Sequence, residues 1–129
     1  MENQMNTVKD AKRIVVKIGS STLTYENFRM NLRRVEALVR ILSDFKNSGK
    51  EIVLVSSGAI SAGVAKMGMD HRPRAVEEKQ ALAAVGQSEL MRMYEHFFSM
   101  FGHTVAQILV TKDVMENPTA RLCLPSHCP

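Results

Sequence analysis

The sequence has no tryptophan, and aromatic residues make up only 5% of its 129 residues. Its two cysteines, Cys123 and Cys128, both lie in the last seven residues. A secreted disulfide-stabilised protein would spread several cysteines through the chain. No apolar run approaches the roughly 18 residues that cross a bilayer, and the polar start of the chain lacks the apolar core of a signal peptide. These absences predict a cytoplasmic protein with no membrane contact.

Positive charge is in modest excess, with 17 Lys and Arg against 13 Asp and Glu. Ten of the 17 basic residues lie in residues 1–50, several of them along one predicted helix. A nucleic-acid surface would combine such charge with aromatic side chains for base stacking, and these are scarce. The pattern therefore favours a solvated helix face, and we expect no nucleic-acid partner.

The apolar patterns predict an α/β fold in a chain long enough for one domain. Short β-branched runs predict strands at 13–18, 51–56 and 104–110. Helical spacing predicts helices at 32–46, 60–67 and 75–101. A strand, a helix and a second strand in this order form a βαβ unit with a right-handed crossover. We therefore expect a largely parallel sheet covered by helices.

Individual residues predict where the helices end and how the sheet is buried. Asn31 is the expected N-cap of the first long helix, and Gly49 its terminating C′ residue. Gly86 interrupts the last helical pattern and indicates a kink or a close contact between helices. The run 52–55 is apolar without alternation, which predicts that both faces of the sheet are covered.

Two turns rich in glycine and serine, at 19–21 and 56–59, follow the first two predicted strands. Ligands of parallel α/β sheets bind at the carboxyl ends of the strands, where hydroxyls and free helix amides attract anions. Lys17 lies within an apolar strand, where an ammonium group is costly unless it reaches a polar cleft. Purely conformational turns and a lysine with its head in water are the alternative interpretation.

Other familiar sites are not indicated. The chain has neither the Gly-x-x-x-x-Gly-Lys-Ser/Thr loop nor the Gly-x-Gly-x-x-Gly fingerprint. Its four histidines are scattered singly, so we expect no metal ligands in the body of the chain. Cys123, His127 and Cys128 form only a weak candidate cluster, because adjacent His and Cys do not easily share a tetrahedral site.

Three segments, 15–21, 52–63 and 79–88, together resemble the N-terminal part of the glutamate kinases, within the amino acid kinase family. The resemblance implies a three-layer α/β/α sandwich with a mainly parallel sheet, incomplete in this chain. It also implies ATP-dependent phosphorylation of the γ-carboxylate of L-glutamate to glutamyl 5-phosphate, the first step of proline biosynthesis. Magnesium would accompany the ATP, and the intact enzyme would be a homo-oligomer.

The resemblance also implies roles for residues in the two turns. Lys17 matches the family lysine that contacts ATP phosphate and stabilises the transferring group, and it is the expected catalytic residue. The expected phosphate-binding residues are Lys17, Gly19 and Ser20. The expected glutamate-binding residues are Ser57, Gly58 and Ala59.

The family pattern covers residues 1–118, and 119–129 is expected to be a divergent, unstructured tail. The family continues into an Asn-Glu-Asn-Asp motif and a nucleotide lobe that these 129 residues do not contain. Activity is therefore not expected of these residues by themselves. Two alternatives stay open: a non-catalytic α/β module that binds an anion or a protein, and an amino acid kinase with a different substrate.

Overall fold

A computed structural model describes residues 9–110 and residue 116 of the chain. Its elements, in order, are β1 (Arg13–Ile18), α1 (Ser20–Leu23), α2 (Leu32–Asn47), β2 (Glu51–Ser56), α3 (Ala59–Lys66) and α4 (Val76–Met100). The α/β class, the first two strands and the three longer helices are confirmed. One element differs in type: the sequence predicts a turn after β1, and the structure has the single helical turn α1 there.

The two strands pair in parallel, from Arg13 opposite Glu51 to Ile18 opposite Ser56. This register confirms the predicted βαβ unit, with α2 as its crossover helix. Because the strands are parallel and in step, their carboxyl ends stop at the same edge of the sheet.

Local hydrogen bonds define both ends of α2. The Asn31 side chain accepts a hydrogen bond from the Arg34 backbone N–H at 3.2 Å, so the predicted N-cap is confirmed. At the other end Gly49 has a φ of +92°, which suits glycine at the C′ position. The Lys50 N–H donates to the Phe45 carbonyl at 3.1 Å, completing a Schellman motif. The helix therefore ends sharply, and β2 begins at once.

The main core lies between one face of the sheet and the helices α2 and α4. Its buried members are Leu23, Val35, Val39, Leu90 and Tyr94, with half-buried Ile18 and Leu54 contributed by the strands. Val35 and Val39 lie one helical turn apart, as do Leu90 and Tyr94, so each helix presents a single apolar stripe. Burial of these stripes holds both helices against the same face.

Glycines allow α3 and α4 to pack in backbone contact. A Cβ added at Gly86 would overlap the carbonyl oxygen of Ala59, and one added at Gly63 would overlap the carbonyl of Leu82. The close-contact interpretation of Gly86 is confirmed, and α4 continues through it as one helix of 25 residues. This crossing positions the start of α3 beside the middle of α4.

The prediction of a third strand at 104–110 is wrong for the described structure. These residues take no regular secondary structure, and the sheet has two strands within the described ranges. Ile108, Leu109 and Val110 are all exposed. A β-branched run favours extended backbone, but a strand forms only where a neighbour supplies hydrogen bonds, and no described strand pairs with this run.

The second face of the sheet is bare within the described residues. Val15, Val53 and Val55 are 61%, 44% and 45% exposed, and exposed Lys17 lies on the same face. The expected cover on both faces is therefore not present there, and the described chain has one sheet layer and one helical side. The proposed tail at 119–129 and the cysteine–histidine cluster lie outside the described residues.

Candidate functional site

The turns after β1 and β2 lie side by side at the carboxyl edge of the sheet. The Ser57 backbone N–H donates to the Ile18 carbonyl at 3.2 Å, which extends the pairing one residue past β2. A Cβ added at Gly58 would lie 4.0 Å from the Ser20 Cβ. The structure thus brings together the two turns that the sequence singled out.

The start of α3 forms one wall of this edge. Gly58 is the N-cap and brings no capping side chain. The first intrahelical bond runs from the Ala62 N–H to the Gly58 carbonyl at 2.9 Å. The amides of residues 59–61 therefore have no acceptor within the helix, and the positive end of the helix dipole lies beside them. This arrangement favours a negatively charged group.

A cavity of about 320 Å³ opens at this edge. Its lining residues are Ser20, Ser56, Ser57, Gly58, Ala59, Ile60, Arg72, Ala83 and Gln87. Four of the predicted site residues are thus brought together, and three serines, Ser20, Ser56 and Ser57, lie on the strand-end side.

The neighbouring serines at the end of β2, Ser56 and Ser57, differ in how firmly their hydroxyls are held. The Ser56 hydroxyl lies 2.8 Å from that of Tyr94, which is 5% exposed. Burial raises the pKa of Tyr94, and the hydrogen bond with Ser56 opposes that rise in part. By contrast, the Ser57 hydroxyl is exposed and makes a long contact of 3.4 Å with the Ile18 carbonyl. Ser57 is therefore the hydroxyl free to turn toward a ligand.

Arg72 is the one charged residue among those that line the cavity. Its Nη2 donates to the Ser61 hydroxyl at 3.0 Å. No carboxylate lines the cavity, and no cluster of three or more potential metal ligands occurs within the described residues. The lining suits an anion, and these residues do not fit a protein-held magnesium site, which needs carboxylate oxygens.

Lys17 and Gly19 are not among the residues that line the cavity. Lys17 lies opposite Val55 on the bare face of the sheet, and its ammonium makes no hydrogen bond or ion pair with other described residues. It lies one residue before the strand end, which is about 3.3 Å from the edge. A four-carbon lysine stem exceeds that distance. Its predicted role therefore requires the side chain to extend over the edge from the bare face.

Sequence reasoning missed Arg72 and Gln87 as cavity residues. Gln87 directly follows Gly86, whose close contact with α3 brings that part of α4 to the site. Arg72 lies in the polar connection between α3 and α4, next to buried Pro73. The sequence itself offered only an arginine followed by a proline in a polar connection.

A larger depression, of about 410 Å³, lies on the outer side of α2. All of its lining residues come from that one helix, so no second element brings functional groups toward it. None of the helices in the described ranges combines the length and the apolar character needed to cross a bilayer.

Comparison with known proteins agrees with this fold. Residues 12–124 match the model of the amino acid kinase family. The chain belongs to the amino acid kinase family, and its parallel βαβ unit is part of that fold.

Three curated relatives of the chain carry the same name. The chain is 58% identical over 110 residues to a protein of Clostridium perfringens named glutamate 5-kinase. It is 54% identical over 113 residues and 50% identical over 115 residues to proteins of the same name from Clostridium tetani and Listeria innocua. These matches cover 85%, 88% and 89% of the chain. The chain spans about two fifths of the length of these relatives, 41% or 42%.

Proposed function

We propose that the chain forms the glutamate-binding part of a glutamate 5-kinase, an enzyme that phosphorylates the γ-carboxylate of L-glutamate with ATP. The observation that carries the proposal is the cavity where the turns of β1 and β2 meet, with the free amides of α3 in its wall. The identity of about 50–58% with relatives of that name supports the substrate.

The reaction demands little acid–base chemistry. A γ-carboxylate is already ionised at neutral pH. One of its oxygens forms a bond to the γ-phosphorus of ATP, while the bond between that phosphorus and the β–γ bridging oxygen breaks and ADP leaves. Because two negatively charged groups must approach each other, catalysis depends on positioning and on neutralisation of charge. A site of hydroxyls, amides and cations can both position the two groups and neutralise their charge.

In the proposed arrangement, Ser57, Gly58 and Ala59 bind the γ-carboxylate through a hydroxyl and the first amides of α3. Ser20 and Gly19 face the ATP phosphates from the β1 turn, and Lys17 extends over the edge to stabilise the transferring group. ATP would bring its magnesium bound to its own phosphates, as is usual for this ion. Since ATP is a cytoplasmic metabolite, the cytoplasm is the proposed location.

Binding of L-glutamate tests the substrate assignment. Titration of the 129-residue chain, followed by NMR chemical shifts, is expected to give saturable binding with shifts in residues 56–61. Ser57→Ala is expected to weaken binding by about tenfold, the value of one hydrogen bond to a charged group. Ser99→Ala, an exposed serine near the end of α4, serves as the matched control.

The competing functions predict different outcomes of that titration. Equal shifts with inorganic phosphate, without preference for L-glutamate, would favour a non-catalytic anion-binding module. A preference for L-aspartate or N-acetylglutamate would indicate an amino acid kinase with another substrate.

The proposed role of Lys17 has a separate test. In the complete enzyme, Lys17→Ala is expected to weaken ATP binding by about tenfold and to leave L-glutamate binding unchanged, because its ammonium serves only the phosphates. Lys12→Ala, an exposed lysine just before β1, is the control. Equal ATP affinity in the two variants would show that Lys17 is merely a solubilising residue of the bare face.

We also propose that the intact enzyme is a homo-oligomer. Similarity to the glutamate kinases supports this proposal, as the resemblance of the sequence implies an oligomeric enzyme. Light scattering coupled to size exclusion measures the assembly directly.

A further inference from the structure

Arg72 lies in an exposed connection, yet three features distinguish it from an ordinary surface arginine. Its guanidinium is bonded at 3.0 Å to the hydroxyl of Ser61, which is 3% exposed. The next residue, Pro73, is buried and restricts the backbone beside it. No ion pair to Arg72 occurs within the described residues, although exposed Asp70 lies two positions away and pairs instead with His71. The structure therefore holds an uncompensated cation against the cavity.

The spacing of the anion-binding groups suggests what this cation binds. Ser61 lies one helical turn along α3 from Gly58, so its hydroxyl is displaced from the start of α3 by about 5 Å. The two carboxylate carbons of a five-carbon dicarboxylic acid are joined by four C–C bonds of about 1.5 Å each, which places them about 5 Å apart when extended. One dicarboxylate can therefore reach both the α3 amides and Arg72.

We propose that Arg72 binds the α-carboxylate of the substrate and so makes the cavity specific for a dicarboxylate. This inference rests on the proposed function, in which the γ-carboxylate occupies the start of α3. The guanidinium offers a fork of N–H donors that matches a carboxylate, and the bond to Ser61 still leaves most of them free. Ser61 acts as a positioning residue because it orients the guanidinium without touching the substrate.

A comparison of two ligands and three proteins tests the proposal. γ-Aminobutyrate is L-glutamate with hydrogen in place of the α-carboxylate. Arg72→Gln is expected to weaken L-glutamate binding about ten- to a hundredfold and to change γ-aminobutyrate binding by less than about threefold. Arg74→Gln removes an equally exposed arginine that does not line the cavity, and it is the matched control. Circular dichroism melting verifies that each variant is folded.

The outcomes separate this inference from the function on which it rests. Failure of the unmodified chain to bind L-glutamate would overturn the proposed function, whatever the variants do. Normal binding by the unmodified chain, with equal L-glutamate affinity in Arg72→Gln and Arg74→Gln, would overturn the role of Arg72 alone. Equal weakening of both ligands by Arg72→Gln would also contradict it, since contact with the α-carboxylate affects only one of them.

Two further variants examine the geometry. Arg72→Lys is expected to restore only part of the L-glutamate affinity, because an ammonium keeps the charge but lacks the planar fork. Ser61→Ala is expected to weaken L-glutamate binding by about threefold and to leave γ-aminobutyrate binding unchanged, as the guanidinium loses its anchor. Full affinity in Arg72→Gln combined with a loss in Ser61→Ala would contradict the proposed order of contacts.

Discussion

The two faces of the sheet contrast sharply although the same two strands form both. On one face Ile18 and Leu54 pack beneath α2 and α4. On the other face Val15, Val53 and Val55 are 44% to 61% exposed. The bare face also carries the charged residues Arg13, Lys17 and Glu51, whereas the covered face carries none, so composition distinguishes the two faces in part.

The difference shows that an apolar strand can favour burial of both its faces although the described residues bury only one. Parallel strands buried on both faces are continuously apolar, and residues 52–55 of β2 have that pattern. The chain spans only 41–42% of the length of its relatives. We propose that chain beyond these residues covers the bare face in the complete enzyme.

The largest expected loss of stability comes from a substitution at the backbone contact between α3 and α4. Gly86→Ala is expected to destabilise the fold by about 4 kcal/mol, because the new methyl group would overlap the Ala59 carbonyl in a packed interface. In an ordinary helix the same change stabilises, so the sign of the effect reports the helix contact. Urea unfolding measures it, with exposed Ser88→Ala as a control expected to lie within about 0.5 kcal/mol. Stabilisation by Gly86→Ala would show that α3 and α4 are not in backbone contact.

Two substitutions compare the covered core with the bare face of the sheet. Leu90→Ala, at a residue 3% exposed in the core, is expected to cost about 3 kcal/mol through lost burial and a residual cavity. Val53→Thr on the bare face is expected to cost less than about 0.5 kcal/mol, since its side chain already contacts solvent. Both values come from urea unfolding of the isolated chain. Similar losses at the two positions would mean that the bare face is covered in solution.

A smaller effect than at Gly86 or Leu90 is expected for the hydrogen bond between Tyr94 and Ser56. Burial raises the pKa of Tyr94 above its ordinary value, so the folded state holds the phenol proton more tightly than the unfolded state does. Its stabilising contribution is complete below about pH 10, the ordinary tyrosine pKa, and declines as pH rises through the folded value. Tyr94→Phe is expected to cost about 1 kcal/mol at neutral pH and to reduce the alkaline loss of stability. Unfolding curves between neutral and alkaline pH, compared with Tyr25→Phe at an exposed tyrosine, provide the measurement. An unchanged alkaline profile in Tyr94→Phe would contradict this account.

Local sequence signals predicted α2 and its ends correctly because the forces involved are local. An asparagine side chain three residues before an amide, and a glycine at positive φ, act within one helical turn. The run at 104–110 carries an equally clear strand signal, yet it forms no strand in the described structure. A strand depends on a partner that is distant in sequence, and local propensity does not reveal whether that partner is present.

The sequence by itself determined the βαβ unit and the two glycine–serine turns, because apolar period and turn chemistry are written in neighbouring residues. Only the tertiary structure decided which side chains meet at those turns. The contact between Gly86 and α3 brings Gln87 to the cavity, and the bond from Arg72 to Ser61 brings a cation there. It also decided that Lys17 lies on the bare face. Such placements depend on how distant elements pack. A local signal such as Gly86 indicates a close contact but does not reveal which element makes it.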